Sequence, residues 1–486
     1  MHAFKCYLLI LPVLIFNGLM AQNYQAIHGS PYAGSLATGN NPASIVHVPF
    51  VWDITPLSVQ FKQTTNAFTI EKYALLSSPS NAEVKAGAGT KSRFVFTNQD
   101  IHLLNARVSL NSKVAIAFGA NLRSYGYAGT NEANWQDTIQ SLRDFMKINS
   151  GNLPLEGDIR ASAWAEVYAT YARTIVDDGD RILNGGITFK VTRGLAGGFG
   201  KMQGIHYAPS NSPAYTLTNG SLQYMYSNNF DFIDTGKTVA QNRKVFFDKT
   251  YSGLSADAGL EYILLSDEEN EAASDYAYET KIGISLMDIG ANRYRNGTRS
   301  RLATAGKAEI TDSLVENRFS DVRSFDSFND SLSTISNTLT MLRGDFYIYQ
   351  PARLIINIDQ HVTNNFFINA EVTIPILPIV AKNTAYVKDM NLLAFTPRWE
   401  MQSLGVYLPV LFNTRKQLWV GGAFKAGPVL FGTHNLANLF SKNKAQTGGL
   451  YLAFTVRPGK KYDRKEHYPK SRADRKERRN VECPKF

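Results

Sequence analysis

The chain has 486 residues, 44% of them apolar, 12% aromatic and 19% charged, with a formal net charge of +10. That balance excludes a disordered polymer, a collagen-like chain and a coiled coil. It also excludes a polytopic helical membrane protein, because the one long apolar run is Tyr7 to Phe16 and a spanning helix needs about 20 such residues.

Residues 1–21 read as a secretory signal peptide. His2 and Lys5 give a positive start, Tyr7 to Phe16 an apolar core, and Leu19-Met20-Ala21 a small-residue exit, which predicts cleavage after Ala21. Cys6 stands at the start of the apolar core, the wrong end for lipid acylation. Its removal leaves Cys483 alone, and one cysteine makes no intramolecular disulfide. Further on, Asn41-Pro42-Ala43 predicts a turn that feeds the first strand, since proline fixes its own φ.

From residue 51 to 456 the dominant signal is alternation with period two. Leu57, Val59 and Phe61 share one face, with Ser58, Gln60 and Lys62 on the other. Leu104 to Asn111 repeats the pattern, as do Val114 to Leu122, Leu254 to Leu264, and Tyr276 to Leu286. Leu354, Ile356 and Ile358 lead through Thr363-Asn364-Asn365 into Phe366, Ile368, Ala370, Val372 and Ile374, which predicts a hairpin. Side chains alternate faces along a strand, so these segments are two-faced strands.

Strand length decides which kind of β protein this is. Strands of about 9–11 residues in an exported chain fit a transmembrane barrel, whereas sandwich strands run nearer 5–6. Only helices and closed barrels satisfy every backbone group in lipid. The sequence therefore predicts an all-β, closed antiparallel transmembrane β-barrel of about 14 strands. Its polar faces place Arg107, Arg123, Glu261, Glu279 and Lys281 toward the lumen. Tyr125, Tyr127, Trp164, Trp399, Tyr407, Trp419, Tyr451 and Phe454, near strand ends, suit interfacial girdles.

Two long connections interrupt the alternation. Asn131 to Ile148 sets Trp135, Ile139, Leu142 and Met146 at helical spacing, which predicts a short amphipathic helix packed on the barrel rim or in the lumen. Ala303 to Arg343 is a second insertion, rich in Ser, Asn, Asp and Thr. Asp288-Ile289-Gly290 predicts a turn that could also offer a carboxylate to the lumen. Gly427-Pro428 and Gly432 predict bends or close backbone approach.

Residues 457–486 hold twelve Lys/Arg against five Asp/Glu, a net of +7, and read as a basic periplasmic tail. Nucleic acid is an unsuitable partner for it, because only Tyr462 and Tyr468 interleave with the charges. Enzyme motifs are missing: the sequence contains no Gly-x-Ser-x-Gly, His-Glu-x-x-His or Cys-x-x-Cys. Its eight histidines share no metal-ligand spacing. We therefore expect no enzyme, no cofactor and no metal.

Several stretches resemble known families. Gly29-Ser30-Pro31-Tyr32-Ala33-Gly34 followed by Asn41-Pro42-Ala43 resembles the amino-terminal segment of FadL-like outer-membrane transporters. Residues 283–290 with Tyr294, Thr396-Pro397-Arg398-Trp399-Glu400, Gly405-Val406-Tyr407-Leu408-Pro409 and residues 427–432 resemble an uncharacterised outer-membrane barrel family of Bacteroidetes, a domain of unknown function. The resemblance implies a porin-like barrel in the bacterial outer membrane, with residues 22–50 as a hatch or plug. Tyr32, Gly34, Asn41, Pro42, Ala43 and Asp288 are its hatch and lumen candidates. Thr447-x-Gly449-x-x-Leu452-x-Phe454 resembles the terminal-strand signal read by the barrel-assembly machinery, although here the chain continues past it. Two functions follow as expectations: a passive or gated channel for small, hydrophobic or amphipathic solutes, or a plugged structural or secretion-associated scaffold. A wide lumen favours the first, and a lumen filled by residues 22–45 and the helix favours the second.

Overall fold

The computed structural model of the chain describes residues 25–458 except 75–81, 152–153, 210–213, 219, 235, 266–277, 308–309, 378–384 and 443–444. The predicted signal peptide, residues 1–21, and residues 459–486 of the predicted basic tail lie outside the described residues. Antiparallel strands follow one another in sequence order around a closed 14-strand barrel. They are β1 (Trp52–Thr65), β2 (Gly89–Asn111), β3 (Val114–Trp135), β4 (Leu155–Asp177), β5 (Arg181–Pro209), β6 (Tyr251–Leu265) and β7 (Tyr278–Arg295). The second half comprises β8 (Asp345–Tyr349 with Arg353–Thr363), β9 (Phe366–Pro375), β10 (Leu392–Glu400), β11 (Leu404–Tyr407 with Val410–Asn413), β12 (Leu418–Val420 with Gly422–Ala426), β13 (Val429–Thr433) and β14 (Thr447–Val456). β1 pairs with β14 along one edge and with β2 along the other, so the ring has no open edge.

The barrel is apolar on the outside and polar within. On β1, Ser58, Gln60 and Lys62 are buried while Leu57 is exposed, and on β6 Asp257 and Glu261 are buried while Leu254 and Leu260 are exposed. Phe189, Val191, Leu254, Ile289, Phe395, Phe412, Phe424 and Phe431 belong to the same outward surface. Water would penalise such a surface at about 25 cal/mol per Å² of apolar area, whereas lipid does not. The strand turns obey the same logic: one rim carries both ends of the barrel and tight turns such as 112–113, 178–180 and the predicted hairpin at 364–365, and the other carries the long loops. Apart from the twelve residues between β6 and β7, the long connections share one rim and most tight turns the other, the pattern of outer-membrane barrels.

The long loops build a layer beyond that rim. The upper part of β5 pairs with Ser221–Tyr226, which pairs with Arg301–Gly306, which pairs with Ser336–Met341. Helices α1 (Leu142–Asn149), α2 (Val239–Asp248), α3 (Asp312–Phe319) and α4 (Phe325–Ile335) decorate this layer. The predicted helix over 131–148 is thus shorter than expected, because residues 131–135 extend β3. Ser141 and Asp144 start α1 with a reciprocal capping box. Its Met146 packs with Ile310 and Val315 of the loop layer, on the rim rather than in the lumen.

Three sequence readings are corrected here. Asp288 makes no turn: β7 runs through it to Arg295, and Asp288 (φ +59) lies where two residues, Met287 and Asp288, oppose the single Asp257, a β-bulge. A second irregularity, between Leu264 and Leu265 of β6, turns Tyr278 inward, so Glu279 is exposed and does not face the lumen. The proposed girdle is also largely inverted. Trp399 and Phe454 are exposed, but Tyr125, Tyr127, Trp164, Tyr407, Trp419 and Tyr451 share the parity of the polar face and are buried inside.

Candidate functional site

The barrel interior holds residues 25–50, which are buried almost throughout. Three short 3-10 turns, Gln25–Ile27, Gly34–Gly39 and Pro42–Ile45, fold the segment compactly. Asn41 caps the last, its Oδ1 accepting from the Ala43 N–H at 2.9 Å, and Pro42 occupies the first turn, where a missing N–H costs nothing.

This segment is bonded to strands all around the ring. His28 meets Glu371 of β9 at 2.7 Å, and Ser30 donates to Glu400 of β10 at 2.6 Å. The Ser35 N–H donates to Asp53 of β1 at 2.6 Å. Ser44 donates to Glu261 of β6 at 2.7 Å, and Asn41 Nδ2 donates to the Leu260 carbonyl at 2.9 Å. Ser285 of β7 donates to the Asn40 carbonyl at 2.6 Å, and Lys281 donates to the Gly29 carbonyl. Arg107 of β2, wholly buried, donates to the carbonyls of Ile45 (2.6 Å) and Phe50 (2.7 Å).

Asn41-Pro42-Ala43 seats on bare backbone. A Cβ on Gly259 would stand 2.1 Å from Asn41 Oδ1, one on Gly186 2.5 Å from the Pro42 carbonyl carbon, and one on Gly283 2.9 Å from Asn41 Nδ2. Gly186 and Gly259 are direct partners across β5 and β6, and Gly283 pairs with Glu261 on β7, so the three glycines form one recess in the wall. Gly34 takes a positive φ of 58°, and Tyr32 is half-buried with its ring 6.2 Å from Phe50 and Lys425 Nζ 4.5 Å above it.

On the loop side of the segment lies a charged network centred on Asp288. Arg123 donates to both its carboxylate oxygens, at 2.6 and 3.0 Å, Lys190 donates at 2.7 Å, and Arg353 approaches to 3.1 Å. Lys190 also pairs with Asp257 at 2.8 Å, and Arg123 with Asp100 at 2.9 Å. The Arg123 guanidinium lies 5.3 Å from the centroids of both Tyr125 and Trp164, which stack on one another. The bulge is what lets one carboxylate meet three cations, because it aims Asp288 inward next to Asp257, whose Oδ1 accepts the Asp288 N–H at 2.7 Å. A second cluster joins Arg398 to Asp359 (2.8 Å) and Glu400 (3.1 Å), with Lys425 on Glu400 at 2.8 Å. Buried ions survive only when paired and hydrogen-bonded in this way.

Between His28, Leu36, Thr38 and Gly39 of the segment and the Arg123, Lys190, Asp257 and Asp288 side chains lies a cavity of about 40 Å³. That admits water molecules, whereas drug-sized ligands occupy roughly 300–1,000 Å³. Among the described residues no group of three or more His, Cys, Asp or Glu is placed to hold a metal ion.

Of the residues singled out from sequence, Arg107, Glu261 and Lys281 touch the amino-terminal segment, Arg123 and Asp288 meet in the network, and Glu279 lies outside both. The reading missed Asp100, Lys190 and Arg353, whereas Asp359 and Glu371 fall on the polar face of the alternating strands 354–359 and 366–374. Lys190 was within reach, since Phe189-Lys190-Val191 alternates as clearly as any segment. Arg398 and Glu400 stood in a quoted motif without a role, and both point inward around the exposed Trp399.

No curated protein matches the chain in sequence. Among solved structures, a Pseudomonas aeruginosa FadL homologue is similar over 90% of this chain and 99% of its own, at 11% identity and a TM-score of 0.41. The P. putida toluene transporter TodX is similar over 88% and 95%, at 8% identity and a TM-score of 0.42. A family model described as a family of unknown function (DUF5723) matches residues 42–434, most of the length, and the chain belongs to that family.

Proposed function

We propose that the protein is an outer-membrane channel held shut by residues 22–50, which act as a hatch, and that small or amphipathic solutes pass when the hatch moves. The observation that carries this reading is the chemistry of the seal. The hatch meets the wall through hydroxyl, amide, carboxylate and guanidinium contacts on strands around the ring, beside an apolar cluster in which Ile27, Leu36, Ile45 and Val46 pack with Tyr407, Leu430 and Tyr451. Each such bond contributes about 0.5–1.5 kcal/mol net, rising to about 1.5–3 kcal/mol where one partner is charged, because water can replace either partner. A seal of this kind can open into water, and the charged wall behind it then sets which solutes pass. Insertion into the outer membrane would use the barrel-assembly machinery, with the rim that carries both barrel ends, and the basic tail, in the periplasm.

The scaffold reading draws support from the filled lumen and the extended loop layer. Planar-bilayer recording on refolded protein separates the two. Full-length mature protein should give no steady current, whereas a variant lacking residues 22–45 should give discrete conductance steps. A deletion variant that forms a barrel and stays silent would reject the channel and leave the scaffold.

A further inference from the structure

The outward face of the barrel carries a feature that neither the hatch nor the lumen uses. On β5, β6 and β7 the lipid-facing rows are apolar up to Phe189, Ala256 and Ile289, and then Val191, Leu254 and Ala291. The next row toward the loops is Arg193, Ser252 and Arg293: Arg193 pairs with Ser252 on one side, and the register of Leu254 with Ala291 sets Ser252 level with Arg293 on the other. Tyr347 of β8 continues the row beside Arg293. Arg193, Ser252 and Tyr347 are exposed, and Arg293 is partly so, its side chain 43% accessible. Two residues along a strand cover about 7 Å, so the arginines stand directly above the last apolar row, at headgroup depth.

The row forms a clasp. Strands lie about 4.8 Å apart, so two arginines separated by one serine flank a gap about 10 Å wide, with only a hydroxymethyl group between them. Neighbouring contacts hold both guanidinium groups in place. Arg193 donates through Nε to Thr250 (2.5 Å) and through Nη2 to the carbonyl of Phe247 at the end of α2 (2.8 Å), and neither bond uses Nη1. Arg293 is held by Asp345 through Nε at 2.9 Å and Nη2 at 2.5 Å, bonds that leave Nη1 unused, and lies 5.3 Å from the Tyr251 ring. Above the row stand Arg295 and Lys249, the latter 5.0 Å from the Phe232 ring. Four cations thus gather at the edge of the lipid, with Asp345 among them and Asp248 next to Lys249 in sequence.

We propose that Arg193, Ser252 and Arg293 form a binding site for the phosphate of an anionic lipid headgroup in the loop-side leaflet. Arginine suits this task because its planar fork donates two parallel bonds to phosphate oxygens. The apolar rows below would take the acyl chains, and Tyr347 and Tyr251 the interfacial region. A lipid held here would brace α2 through Arg193.

The test uses the full mature protein in detergent and native mass spectrometry with added diphosphoryl lipid A, its dephosphorylated form, and phosphatidylcholine. Diphosphoryl lipid A should bind at least about tenfold more tightly than the dephosphorylated form, the gain expected of charge-assisted bidentate contacts. An Arg193→Gln/Arg293→Gln double variant should lose that preference. An Arg173→Gln control, outward on β4 at the opposite rim, should keep it. Equal binding of the two lipid A forms by the wild-type protein would overturn the proposal without reference to any variant. So would a double variant that forms a barrel and keeps the preference. Displacement of the lipid by equimolar inorganic phosphate would overturn the assignment to a lipid in favour of a free anion.

Discussion

Gly259 shows how one missing side chain admits a whole segment. Its Cα faces Asn41, whose amide caps the Pro42–Ile45 turn and reaches the Leu260 carbonyl 219 residues away in sequence. A Gly259→Val substitution places carbon where Asn41 Oδ1 stands and costs about 1–3 kcal/mol of overpacking. The wall itself is held by its ladder hydrogen bonds, so the loss should fall on the seating of residues 25–50. Limited proteolysis should then cut the variant within residues 22–50 while the barrel core stays resistant, with wild-type protein protected at both. Equal protection in the two would show that the recess does not matter. Both halves of this contact are visible in the sequence, as an Asn-Pro-Ala triplet and as glycines in alternating strands. Their meeting is not, because nothing local to either names a partner so far along the chain. The same holds for Asp288: its acidity was noted, but the three cations around it come from β3, β5 and β8.

At the scale of elements, alternation made the strands legible and also set the limit of the reading. Period two says which residues share a face until a bulge inserts one residue, after which every side chain changes sides. Glu279 and Tyr278 exchanged places for that reason, and the register shift depends on β6, which the sequence of β7 does not contain. The buried aromatics mislead for a different reason. Rings near strand ends suit a lipid girdle, but here Tyr125 and Trp164 pack inside under a guanidinium, a use of aromatic rings that composition does not distinguish. Loop lengths are the firmer guide to orientation, since they place α2 and the turn between β2 and β3 on opposite rims. In a Cys483→Ser background, Lys244→Cys on α2 should react with a membrane-impermeant maleimide on intact cells, and Lys113→Cys should react only after the outer membrane is breached. The reverse pattern would turn the barrel over in the membrane and take the basic tail to the outside.

For the whole molecule, the opening composition takes on another meaning. Much of the 44% apolar content lies on the outward surface, while the interior is stabilised by hydrogen bonds and ion pairs that join strands across the ring. Breaking a buried pair by removing one partner typically costs about 3–5 kcal/mol, and no strand can leave the ring without unpairing two neighbours. Detergent replaces lipid on the apolar outer surface, whereas the ladder hydrogen bonds run all round the ring, so it should coat that surface and leave the ring closed. The protein should therefore run at different positions on a denaturing gel when boiled and unboiled, the unboiled form keeping its compact ring. Removing residues 457–486 should leave that difference intact, because the net +7 of that segment lies beyond the last strand. Identical mobility before and after boiling, with the protein recovered in a soluble fraction, would mean that the apolar exterior is covered by protein rather than lipid and would overturn the membrane reading altogether.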